Sequence, residues 1–163
     1  MLRLPNTRPS ASVEIDAPLD TVWSVMTDTE RYSEWNPFVV AVECDGPPAV
    51  GKPVRLHVEF AGGKRVVSPE RITALDPPYD AGATRRATLA YVYEGWPARL
   101  GLVRGTRWQR LSQAPGGQTR YETVEEFSGP LVPLAGPGRV EDGFRRHAEA
   151  LRRRSETLGR AGG

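Results

Sequence analysis

The chain has 163 residues, 39% of them hydrophobic, and its 22 Lys and Arg nearly balance 20 Asp and Glu, for a formal net charge of +2. That length gives one domain a full core and is short for two. The basic residues alternate with acids except at Arg145-Arg146 and Arg152-Arg153-Arg154, so the clustered basic face of a nucleic-acid binder is excluded and a solvated helix face is expected. The single cysteine, Cys44, excludes an internal disulfide and fits a reducing compartment. Met1 to Ser12 lacks the apolar core of a signal peptide, and no apolar run approaches membrane-spanning length. A cytoplasmic protein without membrane insertion is expected, monomeric or homodimeric.

In chain order, Ser12 to Asp16 alternates as a short strand, and Ala17-Pro18-Leu19-Asp20 opens a helix in whose first turn a proline costs no hydrogen bond. Leu19, Val22, Val25 and Met26 form its apolar stripe, bordered by Trp23. A second helical segment is predicted from Thr29 to Trp35, ended by Pro37, which forces Asn36 toward extended geometry.

From Phe38 the chain reads as β. Val39 to Cys44 precedes a Gly46-Pro47-Pro48 turn, and Val54 to Phe60 then alternates strictly, with Leu56, Val58 and Phe60 on the apolar face and His57 on the charged one. Gly62-Gly63 turns into a strand from Lys64 to Leu75, which Asp76-Pro77-Pro78 is expected to break. Ala83 to Glu94 presents Ala87, Leu89, Tyr91 and Tyr93 on one face, and an irregular passage runs from Gly95 to Arg104. Two further strands, Gly105 to Gln113 and Gln118 to Ser128, flank the hairpin signal Ala114-Pro115-Gly116-Gly117. A long helix is predicted from about Gly138 to Leu158, with Val140, Phe144, Ala148, Leu151 and Leu158 on one face. His147 sits on or beside that stripe and points toward whatever the helix covers. The order gives an α+β fold: two short helices after the first strand, a curved antiparallel sheet of about six or seven strands, and a long C-terminal helix with a space beneath it. The expected organisation is a flexible arm over residues 1–10, one domain over 11–158 and a flexible tail over 159–163.

The hairpin also predicts register. With the turn at Pro115-Gly116-Gly117, Leu111 lies opposite Tyr121, Gln109 opposite Thr123 and Arg107 opposite Glu125. This face also carries Phe127 and is the more apolar, so it is directed inward; the opposite choice brings Trp108 and Val124 inward instead.

Several stretches together resemble the START-like superfamily, also called SRPBCC, in its polyketide cyclase/dehydrase-like branch. They are Val13 to Pro18 with Val22-Trp23, Tyr32 to Phe38, Thr119-Arg120-Tyr121, Glu125 to Leu131, and Gly143-Phe144 with Ala150-Leu151. The resemblance spans about residues 11 to 158 and implies a helix-grip fold around a ligand cavity. Bacterial members commonly show His-x-Phe on the penultimate strand and His-x-Glu-x-Phe on the last. Here the first is Arg107-x-Gln109 and the second Thr123-x-Glu125-x-Phe127, so both family histidines are absent and the glutamate stays.

The candidate site follows. Arg107, Gln109, Tyr121, Thr123, Glu125 and Phe127 come from the last two strands, and His147, Phe144 and Leu151 from the long helix above them. Trp35, Leu56, Val58, Phe60, Leu89 and Tyr91 complete the expected wall. A carboxylate beside a guanidinium is expected to stay ionised, and an imidazole on an apolar stripe to stay neutral. His147 is then either a general base or a core histidine satisfied by backbone and water; Arg107 and Glu125 are either ligand groups or an internal ion pair fixing register. With His147 as base and Arg107 holding an enolate oxygen, the set suits proton abstraction beside a carbonyl, ring closure and loss of water, the chemistry the resemblance implies. Two histidines and one cysteine leave no metal site, and no phosphate-binding loop or serine-nucleophile motif is present, so no cofactor is expected. Three functions fit: a protein that binds, and by resemblance cyclises or dehydrates, a small aromatic or polyketide-like molecule; a carrier or sensor of a lipid, quinone or hormone-like ligand; or an interaction module with a vestigial cavity.

Overall fold

A computed structural model describes residues 7–162. Strand β1 (Ser10–Ile15) leads into helix α1 (Leu19–Thr27) and a 3-10 turn at Thr29–Glu34. Five strands then follow: β2 (Val39–Cys44), β3 (Pro53–Glu59), β4 (Arg65–Ala81), β5 (Thr84–Tyr93) and, after the one-turn helix α2 (Trp96–Arg99), β6 (Arg104–Gln113). Strand β7 (Thr119–Ser128), a 3-10 turn at Val132–Ala135 and helix α3 (Pro137–Ala161) complete the chain. The strands form one antiparallel sheet in the order β1-β7-β6-β5-β4-β3-β2. Its concave face is gripped around α3, the helix-grip α+β arrangement.

Local chemistry explains most of these boundaries. α1 buries Leu19, Val22, Val25 and Met26, the helical stripe read from the sequence. The 3-10 turn stops where Asn36 Oδ1 accepts the backbone N–H groups of Phe38 and Val39 at 3.0 Å each, which turns the chain into β2. α3 buries Gly143, Phe144, His147, Ala148, Leu151 and Ser155. Gly143 is required there: a Cβ would stand 2.2 Å from the Phe38 ring, so only glycine lets that ring pack flush against the helix. The outer face of α3 is laced by Arg–Glu and Arg–Asp pairs three and four residues apart, among them Arg145 with Glu141 and Arg146 with Asp142.

Four expectations need correction. Strand β4 does not stop at Asp76 but continues to Ala81. A register shift between Asp76 and Tyr79 absorbs Pro77 and Pro78, so neither ring has to replace a ladder donor. Leu158 leaves the buried stripe and is 43% exposed, because Ser155, one turn earlier, is the last buried residue of the helix. Residues 159–161, expected in a tail, are helical. Of the expected arm, residues 1–6 lie outside the described residues, as does residue 163. Residues 7–10 run along β7, with the Thr7 and Pro9 carbonyls accepting from the backbone N–H groups of Phe127 and Glu125.

Candidate functional site

The β6–β7 register matches the hairpin reading: Leu111 faces Tyr121, Gln109 faces Thr123 and Arg107 faces Glu125. Leu111, Gln109, Arg107, Tyr121 and Thr123 are all buried, which directs this face inward. α3 crosses only part of that face, and the two parts differ.

Beneath the middle of α3 the polar side chains form a closed network. Arg107 donates from Nε to Thr123 Oγ1 (3.0 Å) and from Nη2 to the Tyr121 hydroxyl (3.4 Å) and His147 Nδ1 (3.4 Å). Tyr121 in turn donates to Gln109 Oε1 at 2.7 Å. Asn36 Oδ1 is committed to backbone N–H groups, so its Nδ2 is the atom that donates to His147 Nδ1, at 3.2 Å. Two donors on Nδ1 fix the neutral tautomer with the proton on Nε2. That Nε2 has no hydrogen-bond partner among the described residues. Burial, then the charge of Arg107, holds the imidazole well below its ordinary pKa, as its place on the stripe implied. Rings enclose it: Tyr121 stacks parallel at 6.0 Å, and Trp35 meets it edge-on at 5.6 Å.

Toward the N-terminal end of α3 the sheet and helix separate around a cavity of about 470 Å³, a size that suits a small organic ligand. Its wall is mostly apolar, including Leu56 and Val58 from β3, Phe60 just after it, Phe127 from β7 and Phe144 from α3. Five Lys, Arg or Glu side chains line it: Arg107, Glu125 and Glu70 within, and Lys64 and Arg139 at the mouth. The Arg107 guanidinium lies over the Phe144 ring at 4.3 Å. Its hydrogen bonds within the protein use Nε and Nη2, which leaves Nη1 as the edge available to a ligand.

Glu125 does not pair with Arg107. Its carboxyl folds over Gly105 instead, where a Cβ would lie only 2.4 Å from Oε1. Arg107 is already held by Thr123, Tyr121 and His147, and the absent side chain at 105 gives the carboxyl a groove leading away from it. The expectation of an ionised Glu125 is therefore corrected. Burial, reinforced by the charge of Glu70, pushes its pKa up to about 8 against the opposing pull of Arg107. Glu70 is raised to about 7 by burial, although Ser68 donates to its Oε1 at 3.0 Å and Arg107 also opposes the shift. Both acids are half-buried and line the cavity.

Of the residues read from the sequence, Arg107, Glu125, Leu56, Val58, Phe60, Phe127 and Phe144 line the cavity. His147, Trp35, Leu89, Tyr91, Gln109, Tyr121, Thr123 and Leu151 do not; they fill the packed part of the concave face. Facing was right for these strands, and depth along them was not, because alternation reports which side a residue occupies and not how far the helix reaches over it. Glu70, Ser68 and Asn36 were missed. Glu70 shares a strand face with Ile72 and pairs with Tyr93 across the ladder, a signal that extending the hairpin argument two strands outward would have used. Among the described residues no group of three or more His, Cys, Asp or Glu could hold a metal ion, and no helix is long and apolar enough to cross a membrane.

A gripped helix, a seven-stranded sheet and an apolar cavity with a few charged groups define a small-molecule-binding class of α+β domain. Residues 7–156 match the family described as polyketide cyclase/dehydrase and lipid transport, and the chain belongs to it. Solved structures agree on the fold. The Zhui aromatase/cyclase from Streptomyces sp. R1128 is 21% identical, with 96% of this chain and 97% of that one covered and a TM-score of 0.69. A hypothetical protein of Helicobacter pylori, jhp0584, is 13% identical (95% and 96% covered, TM-score 0.68). The major latex-like protein 151 of Panax ginseng is 11% identical (93% and 96% covered, TM-score 0.68). No match was found among curated proteins.

Proposed function

We propose that the chain binds a small, largely apolar molecule, aromatic or polyketide-like, in this cavity and cyclises or dehydrates it by general acid/base chemistry. One observation carries the reading: two half-buried carboxyl groups, Glu70 and Glu125, whose pKa values burial raises, share an apolar cavity with the Arg107 guanidinium. A group whose pKa lies near the working pH is effective both as base and as acid.

In this reading the ionised member of the Glu70/Glu125 pair takes a proton from a carbon beside a carbonyl. Arg107 Nη1 donates to the enolate oxygen so formed. The enolate carbon attacks a second carbonyl of the same molecule, a C–C bond forms, and the resulting alkoxide takes a proton from the protonated glutamate. The glutamates can then remove a second carbon-bound proton and protonate the departing hydroxyl, releasing water. His147 is not the base. It is absent from the cavity wall, its Nδ1 lone pair is held by Asn36 and Arg107, and its Nε2 already bears the proton. It is a positioning residue, turning the guanidinium so that Nη1 faces outward.

Turnover of a linear poly-β-ketone thioester mimic tests the assignment. Glu125→Gln is expected to lower kcat by about 10²–10⁴, and Arg107→Met to abolish turnover. Unchanged turnover in Glu125→Gln removes it from the catalytic set. A carrier without turnover would use the same apolar wall but has no use for the acid pair. Native mass spectrometry with retained ligand, together with no product from any poly-β-ketone, would favour that second reading.

A further inference from the structure

The mouth of the cavity is built from three segments, and each carries both an exposed apolar side chain and a cation. The β3–β4 turn and the start of β4 contribute Lys64 and Val66. The β5–β6 passage contributes Arg99 and Arg104 with Trp96 and Leu100, the latter two each 67% exposed, and the β7–α3 passage contributes Arg139 with Leu134, which is 75% exposed. Trp96, Leu134, Lys64 and Arg139 line the cavity itself and border its opening, and Arg99 and Arg104 line the adjoining groove beside it.

Away from the mouth most surface arginines are paired, and Arg86, Arg110 and Arg160 are those without a carboxylate partner among the described residues. Elsewhere Arg55, Arg71, Arg85 and Arg120 hold carboxylates, as do the arginines along the outer face of α3. At the mouth, Lys64, Arg99, Arg104 and Arg139 have no carboxylate partner among the described residues. The nearby acids are already engaged: Glu59 with Arg65, Glu94 with Arg71, and Glu126 with Arg8. The rim thus carries cations that hold no carboxylate, Arg139 lying over the Phe60 ring, interleaved with exposed hydrocarbon.

We propose that this rim docks on an anionic lipid bilayer, Trp96, Leu100 and Leu134 seating shallowly in the headgroup region and the four cations meeting lipid phosphates. The tips project from three separate segments around a hole and offer no continuous apolar floor, so a rigid protein surface would leave much of them uncovered, whereas a fluid interface fills around each one. Tryptophan favours that interface, and basic groups gain from the anionic headgroups beside it. The docking is peripheral and needs no spanning segment. It also aims the cavity at the bilayer, so that an apolar ligand passes between the two without crossing water.

Flotation of the full chain with vesicles tests this without reference to any ligand. Vesicles of phosphatidylcholine with one part in three phosphatidylglycerol are expected to carry the protein, those of phosphatidylcholine alone to carry far less, and added salt to release it. Trp96→Ala combined with Leu134→Ala, and Arg99→Glu combined with Arg139→Glu, are each expected to weaken anionic-vesicle binding about tenfold or more. Val50→Ala, at an apolar side chain exposed away from the mouth, serves as the matched control and is expected to change nothing. All substituted positions are exposed or at the rim, and circular dichroism confirms that each variant is folded. Absence of binding to anionic vesicles at low salt overturns the proposal and leaves an acidic protein surface as the occupant. Equal loss in the Val50→Ala control overturns it as well.

Discussion

The two parts of the concave face use the same residue types to opposite ends. Under the middle of α3, Arg107, Tyr121, Gln109, Thr123, Asn36 and His147 are buried and hydrogen-bonded to one another. A few ångströms along the strands, Glu70 and Glu125 are half-buried in an apolar cavity and held close to neutral. In the first region the polar groups, His147 Nε2 excepted, are satisfied by each other and resist change; in the second their demands are left to a ligand. Arg107 belongs to both, with Nε and Nη2 in the network and its side chain in the cavity wall.

Breaking the network is expected to cost stability, and altering the cavity acids to cost function. His147→Ala should show the largest stability effect, a loss of about 3–5 kcal/mol, read from the urea midpoint at constant m-value. It empties a buried ring site and strips Asn36 Nδ2 and Arg107 Nη2 of an acceptor; a loss below 1 kcal/mol would mean the network is not load-sharing. Next comes Gly105→Ala, where the new Cβ meets the Glu125 carboxyl and has to push it aside. About 1–3 kcal/mol is expected, with a displaced Glu125 titration by carboxyl-labelled NMR; an unchanged titration would refute the groove.

The acids themselves should show up as a pH dependence. Because folding raises the Glu125 pKa to about 8 and that of Glu70 to about 7, the folded state holds protons the unfolded chain has released. Their stabilising contribution is full below the ordinary carboxylate pKa and is lost as pH rises through about 7 to 8. Glu125→Gln should flatten that fall and be more stable than the parent on the alkaline side; an identical pH profile would contradict a neutral Glu125. The smallest effect belongs to Leu158→Ser, within about 0.5 kcal/mol, because that side chain is 43% exposed; Leu151→Ala, two turns earlier on the same helix and fully buried, should cost about 2–5 kcal/mol.

The fold was legible because its signals are periodic. Strict alternation in β3, the Pro-Gly-Gly hairpin and the stripes of α1 and α3 each reported a face, and the faces agreed. The hairpin even gave the Arg107–Glu125 register. The site was legible only in part. Periodicity placed His147, Tyr121 and Thr123 inward but carried no information on how far α3 extends over β6 and β7, so packed and cavity-lining residues looked alike. Glu70 escaped because β4 has no clean alternation: Ser68, Glu70 and Ile72 share a face that reads as neither apolar nor polar. Pro77-Pro78 read as a strand end because a register shift that spares two donors leaves no mark in sequence.

The pairing of β1 with β7 carries a consequence for the order in which the molecule can be assembled. Strands β2 to β7 form a meander, each completing its ladder with the strand just made, while Ser10–Ile15 finds its partner only at residues Thr119–Val124. The first strand must therefore wait for the last, and α3, which packs on β1 and α1, must wait with it. Closing so long a loop is slow relative to the local hairpins. During synthesis the meander should form while its concave face is still uncovered, leaving the chain exposed to aggregation until α3 emerges to cap it.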